Sequence, residues 1–109
     1  MCIRDRLHSA GIRVDLATST ATPPMWLSLG HPDTLLVDEW GHTLSPGSRQ
    51  HVNPSSTRYR WYARRLVRQL AERYGRHPAL VAWHVGNEFG NDNPRDYGCL
   101  LYTSPSPRD

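Results

Sequence analysis

The sequence predicts an α/β fold in which two parallel strands are joined by a long connection and a helix. Three observations carry this. An alternating run at Ile12, Val14 and Leu16 follows what reads as the tail of a helix stopped by Gly11. Farther on, Tyr59, Tyr62, Ala63, Leu66, Val67, Leu70 and Tyr74 recur at helical spacing on one face. The stretch "LVAWHVGNE", from Leu80 to Glu88, is short, apolar and β-branched enough for a buried strand. Strand, connection, helix and strand form a βαβ unit whose strands lie parallel, with helices expected to cover both. A doubly wound sheet and a (β/α)8 barrel both satisfy that order.

The two ends read differently from the chain between them. Met1 to Asp5 can be encoded ATG TGT ATA AGA GAC. The reverse complement of those codons, preceded by one T, spells Cys-Leu-Leu-Tyr-Thr, which is Cys99 to Thr103. An inverted repeat around an open reading frame resembles a transposase sequencing adapter, and "SPSPRD" fits the rest of one arm. Residues 1–6 and 99–109 are therefore set aside as adapter-derived, leaving residues 7–98 as the part that carries the fold. Cys2 and Cys99, the only cysteines, lie in the excluded ends, so disulfide and cysteine-metal chemistry have no material between them. Setting aside Arg4, Arg6, Arg108, Asp5 and Asp109 leaves ten basic residues against eight acidic ones, an unremarkable balance. No apolar run is long enough to cross a bilayer.

From Thr22 to about Thr57 the chain carries five prolines and three glycines, so it cannot be one regular element. Its scattered Trp26, Leu27, Leu35, Leu36 and Trp40 favour an ordered connection. "NPSST" supplies capping residues for the helix that follows, and Gly75 stops it. The opposite face of that helix presents Arg58, Arg60, Arg64, Arg65, Arg68 and Arg73. A basic solvated face is an ordinary helix surface, Glu72 interrupts it, and no nucleic-acid partner is expected. Trp61, near that polar face, is expected to pack on a neighbouring helix.

In a regular strand from Leu80 to Glu88, Ala82, His84, Gly86 and Glu88 share one face, and Val81, Trp83 and Val85 share the other. The first face is small and turns polar toward its end. That suits a strand opening onto a site, because a carboxylate in a packed apolar layer would be costly. The C-terminal ends of strands are where α/β enzymes place their chemistry. With its pKa raised by burial or by a second carboxylate, Glu88 could protonate a leaving oxygen. A turn cap, or pairing with Arg95 or Arg49, accounts for the same residue without chemistry.

The segment from about Gly11 to Gly90 resembles glycoside hydrolase family 42, the β-galactosidases with a (β/α)8 TIM-barrel catalytic domain. "LATSTATPPMWL", "VDEWGHTLSPGSRQH" and "ERYGRHPALVAWHVGNEFG", with the spacing between them, carry that resemblance. It implies that the chain holds about strands three and four of the barrel with the intervening loop and helix. It implies Glu88 as the acid/base, Asn87 on the sugar 2-hydroxyl and Arg49 in contact with the substrate. It implies a retaining mechanism, whose nucleophilic glutamate is expected on strand seven, outside this sequence. The substrate implied is a terminal β-D-galactoside. No metal and no other cofactor is expected. Asn53 stands where some members carry a zinc-binding cysteine.

Other chemistry lacks a signature. The six histidines show no tight ligand spacing, and there is neither a phosphate-binding glycine loop nor a nucleophile elbow. His84 reads as packing or as a hydrogen-bonding neighbour of the site. Trp83 is assigned to the core, and Arg13 with Asp15 to a local ion pair. The full-length parent is expected to be a cytoplasmic homo-oligomer, and this chain alone to be inactive. Another clan-A retaining glycosidase and a catalytically inactive carbohydrate-binding barrel remain as alternatives.

Overall fold

A computed structural model describes residues 3–47, 51–86 and 96–98. The first helix, α1 (Ile3–Ser9), ends because Gly11 adopts φ 75°, a left-handed turn that glycine enters without a Cβ penalty. The Ile12 N–H reaches back to the Leu7 carbonyl at 2.8 Å and the Gly11 N–H to His8 at 2.9 Å, the paired bonds of a Schellman cap. The guanidinium of Arg4 lies 3.7 Å from the Tyr74 ring centre, and His77 Nε2 lies 2.8 Å from Asp5 Oδ1. Because His77 Nδ1 accepts from the Ala79 N–H, Nε2 is the protonated nitrogen that donates to Asp5.

The strand β1 (Val14–Ala17) pairs in parallel with β2 (Leu80–His84), Ala17 opposite His84, with an irregularity after Val14. The expected order of strand, connection, helix and strand is therefore present. The expected burial of the second strand is not. Regular pairing stops at His84, and Val81 and Val85 are 59% and 67% exposed. Trp83, assigned to the core from sequence, and Leu16, its partner across the pair, are only half-buried. Arg13 and Asp15, expected to pair, form no salt bridge with each other.

The described part of the connection between β1 and the long helix is folded and holds most of the buried apolar side chains. After Pro23 and Pro24 the chain forms a short helix, α2 (Met25–Gly30), followed by a 3₁₀ turn at Pro32–Thr34. It then doubles back on itself: Leu35 bridges Val52, Val37 bridges Thr43, and the Leu36 N–H donates to the His51 carbonyl at 2.9 Å. Asp38 turns the inner hairpin. Its Oδ1 accepts from the Trp40 and His42 N–H groups, while Gly41 takes φ 81°. Those hydrogen bonds, the His42 N–H foremost, hold the Asp38 carboxyl below its usual range. Leu27, Leu35, Leu36 and Val52 are buried here, beside the nearly solvent-free Thr34, Ser28 and Ser56.

The long helix α3 (Thr57–Tyr74) begins at Ser56, whose Oγ accepts from the Tyr59 N–H at 3.3 Å. Arg58 ties this first turn to the connection: Nη1 reaches His31 Nδ1 at 2.7 Å and Nε lies 3.5 Å from Asp33. The apolar face read from the spacing is present but thinly covered, with Leu66 42% exposed. At the C-terminus a side chain at Gly75 would place its Cβ 2.5 Å from the Ala71 carbonyl oxygen, which is why glycine ends the helix.

Candidate functional site

The C-terminal ends of β1 and β2 lie side by side, and the chain leaves both toward the same rim. Beyond Ala17 the pairing extends one more step, as the Thr18 N–H donates to the His84 carbonyl at 3.1 Å. Ser19 then takes φ 60°, a left-handed conformation rare for a residue with a Cβ. That reversal brings Thr20 back over the end of β2. The hydroxyls of Thr18 and Thr20 lie 3.0 Å apart. Thr18 Oγ1 donates to the Val85 carbonyl at 3.0 Å, and Thr20 Oγ1 lies 3.4 Å from the same oxygen. A hydroxyl has one proton to give. Once Thr18 commits its own to Val85, Thr20 can donate either to Thr18 Oγ1 or to the shared carbonyl.

This cluster is braced from the helix layer. Tyr59, on the first turn of α3, donates its phenolic proton to the Thr20 carbonyl at 2.8 Å. Burial pushes the Tyr59 phenol above its usual pKa, so the group remains the donor through neutral pH. Thr18 is 4% exposed and Val85 turns its carbonyl, not its side chain, inward. The rim encloses a recess of about 250 Å³ lined by residues including Thr18, Ser19, Thr20, His84 and Gly86. His84 borders this recess, in keeping with the face assigned to it from strand alternation.

The three residues singled out from sequence, Glu88, Asn87 and Arg49, lie outside the described residues. What the structure supplies is their approach: Val85 is two positions before Asn87 and three before Glu88, and its carbonyl is the one held by the threonines. Sequence reading gave Thr18, Ser19 and Thr20 no role of their own. A signal was present in "TST", three consecutive hydroxyl residues at the C-terminal end of a strand.

Two other concave surfaces differ in character. A groove of about 330 Å³ between α2 and α3 is lined by Pro23, Pro24, Trp26, Tyr59, Tyr62 and Leu66, with Trp26 edge-on to Tyr62 at 5.2 Å. It is apolar nearly throughout and offers few polar groups to orient a ligand. The other, on the outer face of α3, is bordered by Arg60, Arg64, Arg65 and Arg68 around Trp61. Trp61 packs edge-on against Tyr62 of its own helix, with its ring centre 4.8 Å away, and the Arg65 guanidinium sits 5.4 Å from the Trp61 ring centre. Its expected packing on a neighbouring helix is not seen among the described residues.

Asn53 is spent on backbone. It is buried, its Oδ1 accepts from the Ser55 N–H at 2.8 Å, and its N–H donates to the Thr34 carbonyl at 2.8 Å. Among the described residues no three His, Cys, Asp or Glu side chains gather as a metal site, and no helix is long and apolar enough to cross a membrane. Asp96 is buried beneath the hairpin, with Oδ1 accepting from the Val37 and Gly98 N–H groups.

Comparison with known proteins gives a consistent answer. The family model described as beta-galactosidase, of glycoside hydrolase family 42, matches residues 2–102. Beta-galactosidase BbgII of Bifidobacterium bifidum is 53% identical over 93 residues, which are 85% of this chain and 14% of that protein. Beta-galactosidase LacZ of Heyndrickxia coagulans is 57% identical over 88 residues, 81% of this chain and 13% of that one. Among solved structures, the beta-galactosidase of the psychrophilic Marinomonas ef1 superposes with a TM-score of 0.84 at 46% identity, covering 89% of this chain and 15% of that one. The chain thus spans about 14% of the length of the curated relatives it matches.

Proposed function

Since the chain belongs to glycoside hydrolase family 42, the β-galactosidase family, we propose that it is the acid/base segment of a retaining β-galactosidase acting on terminal β-D-galactosides. The observation that supports this best is the extent of the family match, which runs from residue 2 to residue 102 and so spans Arg49, Asn87 and Glu88. On this reading β1 and β2 are strands three and four of a TIM barrel, and residues 1–6 and 99–109 are adapter sequence, into which the family match runs at 2–6 and 99–102. The full-length enzyme is cytoplasmic and homo-oligomeric.

Each residue then has one task. Glu88, protonated in the resting enzyme, gives its proton to the glycosidic oxygen as the bond to the aglycone breaks. A second carboxylate, contributed from outside this sequence about 5 Å away, forms the glycosyl-enzyme bond. Glu88, now a carboxylate, takes a proton from the water that hydrolyses that intermediate. Asn87 hydrogen-bonds the 2-hydroxyl, where contacts strengthen in the transition state. Arg49 holds the substrate. This chain alone lacks the second carboxylate and is inactive.

The test is Glu88→Gln in an intact enzyme carrying this segment. Glycosylation by galactosides with poor alkyl leaving groups should fall by about 10²- to 10⁴-fold, the usual worth of a positioned proton donor. Aryl galactosides with good leaving groups should lose far less in that step. Equal losses for both substrate classes would rule out the acid role.

A further inference from the structure

We propose that Thr18 is a positioning residue for Glu88: its hydroxyl fixes the Val85 carbonyl and thereby the direction in which β2 enters Gly86-Asn87-Glu88. The inference rests on the acid/base reading of Glu88. It adds a residue on the neighbouring strand that sets where that acid stands.

The physical case begins at the end of the ladder. Paired residues of β2 stop at His84, so nothing in regular β-structure fixes the orientation of the next peptide. A free peptide at a strand end can turn about φ and ψ, and three residues later a small rotation becomes a displacement of more than an ångström. Here that peptide is not free. The Val85 carbonyl accepts from Thr18 Oγ1 at 3.0 Å, with Thr20 Oγ1 at 3.4 Å as a second neighbour. Thr18 is itself held twice, by its N–H on the His84 carbonyl and by near-complete burial of its side chain.

Ser19 shows that this arrangement is imposed. A left-handed serine costs on the order of 1 kcal/mol and persists only where its surroundings over-determine it. The restraints lie on both sides: Thr18 bonded to His84 and Val85 before it, and Thr20 bonded through its carbonyl to Tyr59 of α3 after it. The strained turn is what lets two hydroxyls from one loop reach one carbonyl of another strand. A rigid line of contacts thus runs from α3 through Tyr59, Thr20 and Thr18 to Val85, and ends three residues short of Glu88.

The experiment uses the intact enzyme with Thr18→Val, Thr18→Ser, Thr20→Val and Glu88→Gln, measured side by side. Thr18→Val keeps the shape of the side chain and removes its proton. It should lower kcat/KM for galactosides with poor leaving groups by about tenfold or more, within the range for a displaced catalytic group. It should also move the basic limb of the pH–rate profile, since the environment of the acid changes, while good leaving groups are spared. Thr18→Ser, which restores the hydroxyl, should recover activity to within about twofold of the unsubstituted enzyme. Thr20→Val removes only the more distant hydroxyl and should produce the same pattern more weakly, so it serves if Thr18→Val does not fold.

A folded Thr18→Val enzyme, or Thr20→Val in its place, with unchanged pH limb and leaving-group dependence would overturn the positioning role. Failure of Thr18→Ser to rescue would overturn it as well, because the threonine would then act by packing alone. Glu88→Gln separates the two layers: a selective loss there for poor leaving groups, with silent threonine variants, removes this inference and leaves the acid in place. Equal losses for both leaving-group classes in Glu88→Gln would remove the acid reading itself.

Discussion

Leu27 and Leu36, both from the connection between β1 and α3, are 2% and 3% exposed, while Val81 and Val85 of the β2 segment stand mostly in solvent. Composition ranks these two regions the other way round. The connection is rich in proline, glycine and polar residues, and β2 is nearly all apolar. Burial here follows closure of the local chain. The connection folds back on itself through the Leu35–Val52 and Val37–Thr43 bridges, so its apolar side chains meet each other within about thirty residues. The strands are two adjacent staves, and their outer face and free edges need neighbours that a two-stranded sheet does not possess. In the related β-galactosidase structures this chain corresponds to about 15% of the polypeptide, which is consistent with strands that pack against the remainder.

The largest loss of stability is expected inside the connection. Leu36→Ala removes a side chain from the closed core of the connection and should cost about 2–5 kcal/mol, the range for a buried leucine that leaves a cavity. Val81→Ala, on the exposed face of β2, should stay within about 0.5 kcal/mol. Urea unfolding of both variants checks the pair. Equal destabilisation would show that β2 is buried in solution by something that covers it, and would sharpen the search for that cover.

What could be read from sequence separates along the same line. The order of elements, the α3 start at Ser56 and the helix stop at Gly11 depend on local chemistry, such as a side-chain cap or a positive φ, and each was legible at its own residue. Helix α2 was not, because "MWLSLG" is too short and too uniformly apolar to show a helical period, and its start is set by Pro24 without a side-chain cap. The core was seen as scattered residues but not as a core, since joining Leu35 to Val52 needs a long-range pairing that no local pattern announces. At the candidate site, Glu88, Asn87 and Arg49 were proposed through resemblance and lie outside the described residues. The threonine cluster was missed because its meaning lies in contacts 65 and 67 residues away.

Ser56 stands where the connection joins α3, and its substitution tests that junction with an intermediate effect. Its Oγ caps α3 through the Tyr59 N–H and lies 3.4 Å from Asp33 Oδ2 of the connection, in a fully buried position. Ser56→Ala should cost about 1–2 kcal/mol, the upper part of the range for a lost cap. Hydrogen exchange should show the loss in the first turn of α3 and not at its C-terminus. Uniform loss along the helix would mean that α3 and the connection unfold as one unit.

Tyr59→Phe should cost less than Ser56→Ala, and its pH dependence makes it informative. Removing the phenolic oxygen breaks the bond to the Thr20 carbonyl and should cost about 1 kcal/mol near neutral pH. Burial holds the folded-state pKa of Tyr59 above its unfolded value of about 10, so the folded protein retains this proton more tightly than the unfolded chain does. The resulting contribution is fully present below pH ~10 and is lost as pH rises through the folded value. Stability of the unsubstituted protein should therefore fall faster above pH ~10 than that of Tyr59→Phe, and the two curves should converge. Parallel curves through that range would mean that the phenol is equally hydrated in both states. Tyr59 would then be no brace between α3 and the rim, and the rigid line of contacts from the helix to Val85 would have to begin at Thr20 itself.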